Sequence, residues 1–82
     1  MIDKARALDA SLADAHYELG RLLLKQGKAS EALHHLETAT KLDPVNPSVP
    51  IALANAYWML GRNADQAKEL KRYRELEQRE VR

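Results

Sequence analysis

Cysteine and phenylalanine are absent from this chain of 82 residues, glycine and proline occur three times each, and tryptophan once. The lack of cysteine removes disulfides, thiolate metal ligands and a cysteine nucleophile together. An excess of either charge is missing too: 13 basic against 12 acidic residues leave a net charge of +1, which supplies no global attraction for nucleic acid or an acidic membrane surface. No apolar run approaches the roughly 20 residues of a bilayer-spanning helix. Met1-Ile2-Asp3-Lys4 places charge where a secretion signal needs an apolar stretch. The expectation is a soluble chain with no targeting segment, no nucleic-acid partner and no membrane insertion. Strand-like alternation is missing as well. A 45% hydrophobic fraction with so few aromatic residues describes closely approached helices, an all-α composition. A chain this short buries only about 60 to 65% of the surface its unfolded form exposes, so its stability is marginal.

What is present is a repeat. Gly27 and Gly61 lie 34 residues apart, and their surroundings repeat with them: Leu19-Gly20 falls on Leu53-Ala54, Leu23 on Tyr57, Leu24 on Trp58, Lys28 on Arg62 and Leu36 on Leu70. A period of that length belongs to stacked helical solenoids. Ala15, Leu19, Leu22, Leu23 and Gln26 recur at three- and four-residue steps, predicting a helix over about 13–26 with these residues on its packing stripe. Gly27 ends it, because glycine reaches the left-handed conformation without steric cost. Ser30 or Lys28 opens a second helix with Ala32, Leu33, Leu36, Ala39 and Leu42 inward, and Asp43-Pro44 closes it, since the residue before proline is driven from the α region. Asn46 as N-cap and Pro47 at the first helical position predict a third helix over about 47–60. Pro50 falls within its first turn and forfeits little hydrogen bonding there. Gly61 repeats the work of Gly27, and a fourth helix follows from about Asn63 towards Glu80.

The segment 62–82 holds 12 charged residues in 21, and its inward stripe thins to Ala64, Ala67, Leu70, Tyr73 and Leu76. Asp65 with Lys68, Glu69 with Arg72 and Glu75 with Arg79 are spaced to pair along one helix. This suits a terminal element that closes a solenoid against water. Upstream, Ala5-Arg6-Ala7-Leu8-Asp9-Ala10 matches Ala39-Thr40-Lys41-Leu42-Asp43-Pro44 at the same spacing. The domain reading is therefore 1–12 as the remnant of a preceding repeat helix or an N-terminal cap, 13–46 as the first repeat, and 47–82 as the second with a degenerate, charged capping helix.

His16, Leu19, Gly20, Leu23, Ala32, Leu36 and Pro44 in the first unit, and Leu53, Ala54, Tyr57 and Leu70 in the second, resemble the tetratricopeptide repeat pattern W-x2-L-G-x2-Y, A-x3-F, P. Two departures in the first unit, His16 for the large aromatic and Leu23 for tyrosine, leave the packing logic intact. In the second unit Pro50 replaces the aromatic, Gln66 the small alanine, and Tyr73 stands where a small residue is usual, so the fourth helix is expected to rotate, with Ala67 taking over the close contact. The resemblance implies antiparallel helix-turn-helix repeats stacked as a short right-handed solenoid. Small residues at Gly20, Ala32, Ala39 and Ala54 fit helices that cross at about 8 to 10 Å.

The resemblance also implies where a ligand binds: the first helix of each pair lines a concave face that holds an extended or helical peptide. Carried over, this selects Asp14, Tyr17, Arg21 and Leu24 beside Ile51, Asn55, Trp58 and Met59. Arg21 would clamp a carboxylate or carbonyl, Asn55 would bond a peptide backbone, and Tyr17 and Trp58 are hot-spot types. Family members that grip a C-terminal carboxylate use a lysine, asparagine and arginine set of which only Asn55 is in place, so that mode is not expected. Catalytic readings find no support: Ser11, Ser30 and Ser48 stand at helix starts or turns, and each glycine ends a helix or lies at a crossing. Adjacent His34 and His35 point about 100° apart on a helix and cannot share one ion, and His16 reads as a packing residue. No catalytic residue, metal ligand or cofactor is expected. The function read from sequence is a protein-protein interaction or assembly module with a protein or peptide ligand. The alternative is a structural spacer or cap of a larger solenoid, with a weak homodimer through exposed repeat ends.

Overall fold

A computed structural model describes the backbone of residues 2–81 and the side chains of residues 11–78. Four helices follow one another: α1 (Ile2–Lys25), α2 (Ala29–Leu42), α3 (Ser48–Met59) and α4 (Asn63–Val81). Each packs on the next, α1 also meets α3, and among the described residues α4 packs on α3 alone. The result is a slab of 42 × 28 × 15 Å, two antiparallel hairpins side by side.

The two hairpin bends are built identically. Lys28 N–H donates to the Leu23 carbonyl at 2.8 Å and Gly27 N–H to Leu24 at 3.0 Å; Arg62 N–H donates to Tyr57 at 2.8 Å and Gly61 N–H to Trp58 at 3.1 Å. These six-to-one and five-to-two bonds satisfy the last carbonyls of each helix, and they require φ of +77° at Gly27 and +75° at Gly61, where other residues are strained. Between the hairpins, Asp43 is extended (φ −145°, ψ 83°) ahead of Pro44. The Asn46 side chain accepts the Ser48 N–H at 2.9 Å, capping α3 as its position suggested. Pro50 sits in the first turn of α3, fully buried.

Helix α1 differs from the sequence reading. It runs unbroken from Ile2 instead of starting near Ala13. The reason is Ala10: it stands where the second unit has Pro44, so nothing forces Asp9 out of the α region and the chain passes straight into the repeat helix.

The core consists of Ala32, Leu36, Ala39, Val49, Ala52, Leu53, Ala56 and Tyr57, with Tyr17, Leu23, Leu24 and Leu33 packed on it. Among the described residues no polar or charged side chain is fully buried. Gly20 is small for a contact reason: a Cβ there would lie 2.7 Å from two carbons of Leu36 and 3.4 Å from the Ala32 carbonyl.

Two predicted stripes are corrected. On α1 the buried positions are Ala13 and Gly20, flanked by half-buried His16, Tyr17, Leu23 and Leu24, whereas Ala15, Leu19 and Leu22 face solvent. On α4 it is Asp65, Gln66, Glu69, Arg72, Tyr73 and Leu76 that are partly covered, while Ala64, Ala67 and Leu70 are exposed; Ala67 does not take over the close contact. Both stripes assumed a neighbour on each side, and α1 and α4 are the end helices of the stack.

Candidate binding groove

α1 and α3 are the first helices of the two hairpins, and where they meet the surface forms a cleft of about 280 Å³ lined by Tyr17, Arg21, Leu24, Lys25, Ser48, Ile51, Ala52 and Asn55. Positions 17, 21, 24 and 25 are one face of α1 at steps of three and four, and 48, 51, 52 and 55 are the matching face of α3. Five of the eight residues selected from sequence, Tyr17, Arg21, Leu24, Ile51 and Asn55, come together here. The other three do not line it. Asp14 and Trp58 are exposed to either side, and Met59 borders a second hollow with Gly27, Lys28, Ala29, Ser30, Glu31 and Leu60.

Sequence reading missed Lys25, Ser48 and Ala52. A signal existed for two of them: Ser48 is the 34-residue counterpart of Asp14, and Lys25 that of Met59. Each pair occupies one repeat position. The cleft takes the later member of α1 and the earlier member of α3, because it lies between the C-terminal half of α1 and the N-terminal half of α3.

One end of the cleft is cationic. Arg21 is held by Glu18 at 3.0 Å and lies 5.7 Å from the Tyr17 ring centroid, which presents its guanidinium over an aromatic face. Lys25, one turn on, makes no ion pair among the described residues. The middle is apolar, from Leu24, Ile51 and Ala52, and the far wall offers the Asn55 amide and the Ser48 hydroxyl.

On the opposite face, Glu37, Thr40, Lys41, Leu53, Tyr57, Glu69 and Arg72 surround a cleft of about 370 Å³. Burial, followed by the nearby Glu37 and Glu69 carboxylates, raises the Tyr57 phenol above 10.0, and Arg62 lies 4.8 Å from its ring centroid. Burial also raises Glu69 above 4.5, although Arg72, bonded to it at 2.9 Å, pulls the other way. The native state therefore binds the Glu69 proton more tightly than the unfolded chain. Stability linked to this group falls as pH rises from 4.5 through the folded value. Glu69→Gln keeps an acceptor for Arg72 and discards the desolvated charge, so its melting temperature should exceed the parent's at pH 7 and converge on it near pH 4.5. Thermal melts followed by circular dichroism across that range check this. Asp65 binds Arg62 at 2.8 Å instead of the expected Lys68; Arg79, the expected partner of Glu75, lies outside the described side chains.

The histidines have a different arrangement from that expected of isolated packing residues. His16 Nδ1 and His35 Nδ1 approach to 3.2 Å across the first hairpin. Their rings are inclined by only 23° with centroids 5.5 Å apart. The centroid separation exceeds the nitrogen separation by about two ring radii, so the rings meet edge to edge, and one Nδ1–H donates to its neighbour. Among the described residues no group of three or more histidines and carboxylates is placed to hold a metal ion, and no helix is long and apolar enough to cross a membrane.

A family model described as a tetratricopeptide repeat matches residues 17–79, well over half of the chain. Neither a curated protein nor a solved structure matches it.

Proposed function

Because the chain belongs to the tetratricopeptide repeat family, whose repeats generally mediate protein-protein interaction, we propose that it holds an extended or helical protein segment in the cleft between α1 and α3. The observation that carries this reading is the convergence of Tyr17, Arg21, Leu24, Ile51 and Asn55, drawn from two repeats, on one cleft. Its chemistry suits a segment with an apolar side chain next to a carboxylate. The apolar group rests on Leu24, Ile51 and Ala52, the acid meets Arg21 and Lys25, and Asn55 bonds the ligand backbone. Asp14, Trp58 and Met59 then flank the ligand where it leaves the cleft.

The role is non-catalytic, as is typical of the family. Nucleic acid is not part of it: the basic residues of α4 alternate with acids, and Arg62 and Arg72 are engaged by Asp65 and Glu69. The units are 13–46 and 47–82, with residues 1–12 a remnant of a neighbouring repeat or a cap, here fused into α1.

A panel of fluorescent peptides of varied charge and hydrophobicity tests the reading by anisotropy. Acidic-apolar peptides should bind best, and Arg21→Ala or Lys25→Ala should each weaken them about tenfold, the effect of losing one hydrogen bond to a charged group. Binding should also weaken as salt is raised. If the double variant keeps full helicity and binds these peptides as the parent does, the cleft is not the site.

A further inference from the structure

We propose that the two ends of the hairpin stack are complementary and join copies of this chain head to tail. The internal repeat provides the comparison that supports this. Along α3, Val49, Leu53 and Ala56 are 2%, 2% and 0% exposed, because this face stacks against the first hairpin. Their counterparts 34 residues earlier are Ala15, Leu19 and Leu22, equally apolar, yet Leu19 is 40% and Leu22 53% exposed and Ala15 is exposed as well. The other side of the junction behaves in the same way. Leu36 is 0% exposed, and Leu24 and Leu33 pack on the core. Their counterparts 34 residues later are Leu70, 40% exposed, Trp58, 67% exposed, and Ala67, also exposed.

Nearly every exposed large apolar side chain is thereby accounted for. Leu12, Leu19 and Leu22 lie at one end, and Ile51, Trp58, Met59, Leu60 and Leu70 lie on α3, its bend and α4 at the other. The first set repeats the face that the second hairpin buries, and the second set repeats the face that the first hairpin offers. A second copy displaced by one more repeat step brings the two together as a continuation of the junction already inside the chain. No like charges are forced into contact. The internal junction places Glu37 and Lys41 beside Glu69 and Arg72, and the same step places Lys71 and Glu75 of one copy beside His35 and Thr38 of the next. Such a contact pairs two different surfaces and does not close on itself, so it continues beyond a dimer. It is independent of the groove reading, since Leu22 and Trp58 line no part of that cleft.

Sedimentation of the 82-residue chain over a range of concentrations tests the proposal. The weight-average mass of the parent should climb from 9.3 kDa past that of a dimer. Leu22→Glu alone and Trp58→Glu alone should each remain monomeric at concentrations where the parent assembles. Mixed in equal amounts, they should form a heterodimer and nothing larger, because each retains the face the other has lost. Ala15→Glu and Leu70→Glu form an independent pair with the same expectation should either first variant lose helicity. A parent that stays at 9.3 kDa throughout overturns the proposal and assigns the faces to other repeats. A parent that stops at a dimer abolished by Leu22→Glu but untouched by Trp58→Glu overturns it in favour of a symmetric contact. A mixture that stays monomeric also overturns it. Arg21→Ala and Lys25→Ala should leave assembly unchanged, so failure of the groove and failure of the stack are separable.

Discussion

Leu36→Ala is expected to remove the cooperative melt of this chain or lower its midpoint by tens of degrees. Leu36 is fully buried where α2 meets Gly20 of α1, and it belongs to the core shared with α3. Truncating a leucine in such a place costs about 2 to 5 kcal/mol, lost transfer energy plus an unfilled cavity. At roughly 0.05 to 0.15 kcal/mol per residue, a domain of this size has about 4 to 12 kcal/mol to lose, and each kcal/mol shifts the midpoint of a small domain by about 4 to 8 °C. The buried apolar set is only eleven residues, from Ala13 to Tyr57, so no second core compensates. Circular dichroism on heating and in urea measures the effect; a midpoint within a few degrees of the parent would show that Leu36 does not anchor the junction.

The second large effect should come from adding atoms instead of removing them. Gly20→Val puts a branched side chain where even a single Cβ would stand 2.7 Å from Leu36 Cγ and Cδ2. Leu36 has no solvent to swing into, so the helices must separate, at about 1 to 3 kcal/mol for overpacking. The better helix propensity of valine over glycine offsets only a few tenths of a kcal/mol. Urea denaturation should show a lower midpoint despite the loss of a helix-interior glycine. The two sites are in contact, so their effects are coupled. Gly20→Ala combined with Leu36→Ala should destabilise less than the sum of the single changes, by about 0.5 to 3 kcal/mol, because the alanine methyl occupies space the leucine vacated. Strict additivity would mean that the close approach at Gly20 does not control the α1–α2 packing.

These positions also mark how far sequence reasoning reaches here. Gly27, Gly61, Pro44 and Asn46 act through bonds within a few residues, so the bends and the α3 cap were legible from local chemistry. Ala32, Leu36 and Ala39 were legible because α2 has partners on both sides and its stripe has one solution. The stripes of α1 and α4 were not: Leu19 and Leu22, like Ala67 and Leu70, carry the pattern of residues covered by a further helix, and the register alone does not tell whether that helix is present. The long start of α1 turned on Ala10 replacing a proline. In the groove, Tyr17, Arg21, Leu24, Ile51 and Asn55 followed from the repeat, whereas Lys25 and Ser48 depended on how far α3 is offset along α1. The His16–His35 contact lies 19 residues apart in sequence and needs the hairpin closed before it exists.

That α4 leans on α3 alone governs how the molecule comes apart. In a structure whose parts touch only their immediate neighbours, disorder needs no global crossing of a barrier; it enters at an extremity and travels inward. Loosening α4 strips one side from Tyr57 and leaves the first hairpin intact, so heat should unravel this chain as a zipper opens, tooth by tooth, and any partner seated on its ends would act as the slider that holds it shut.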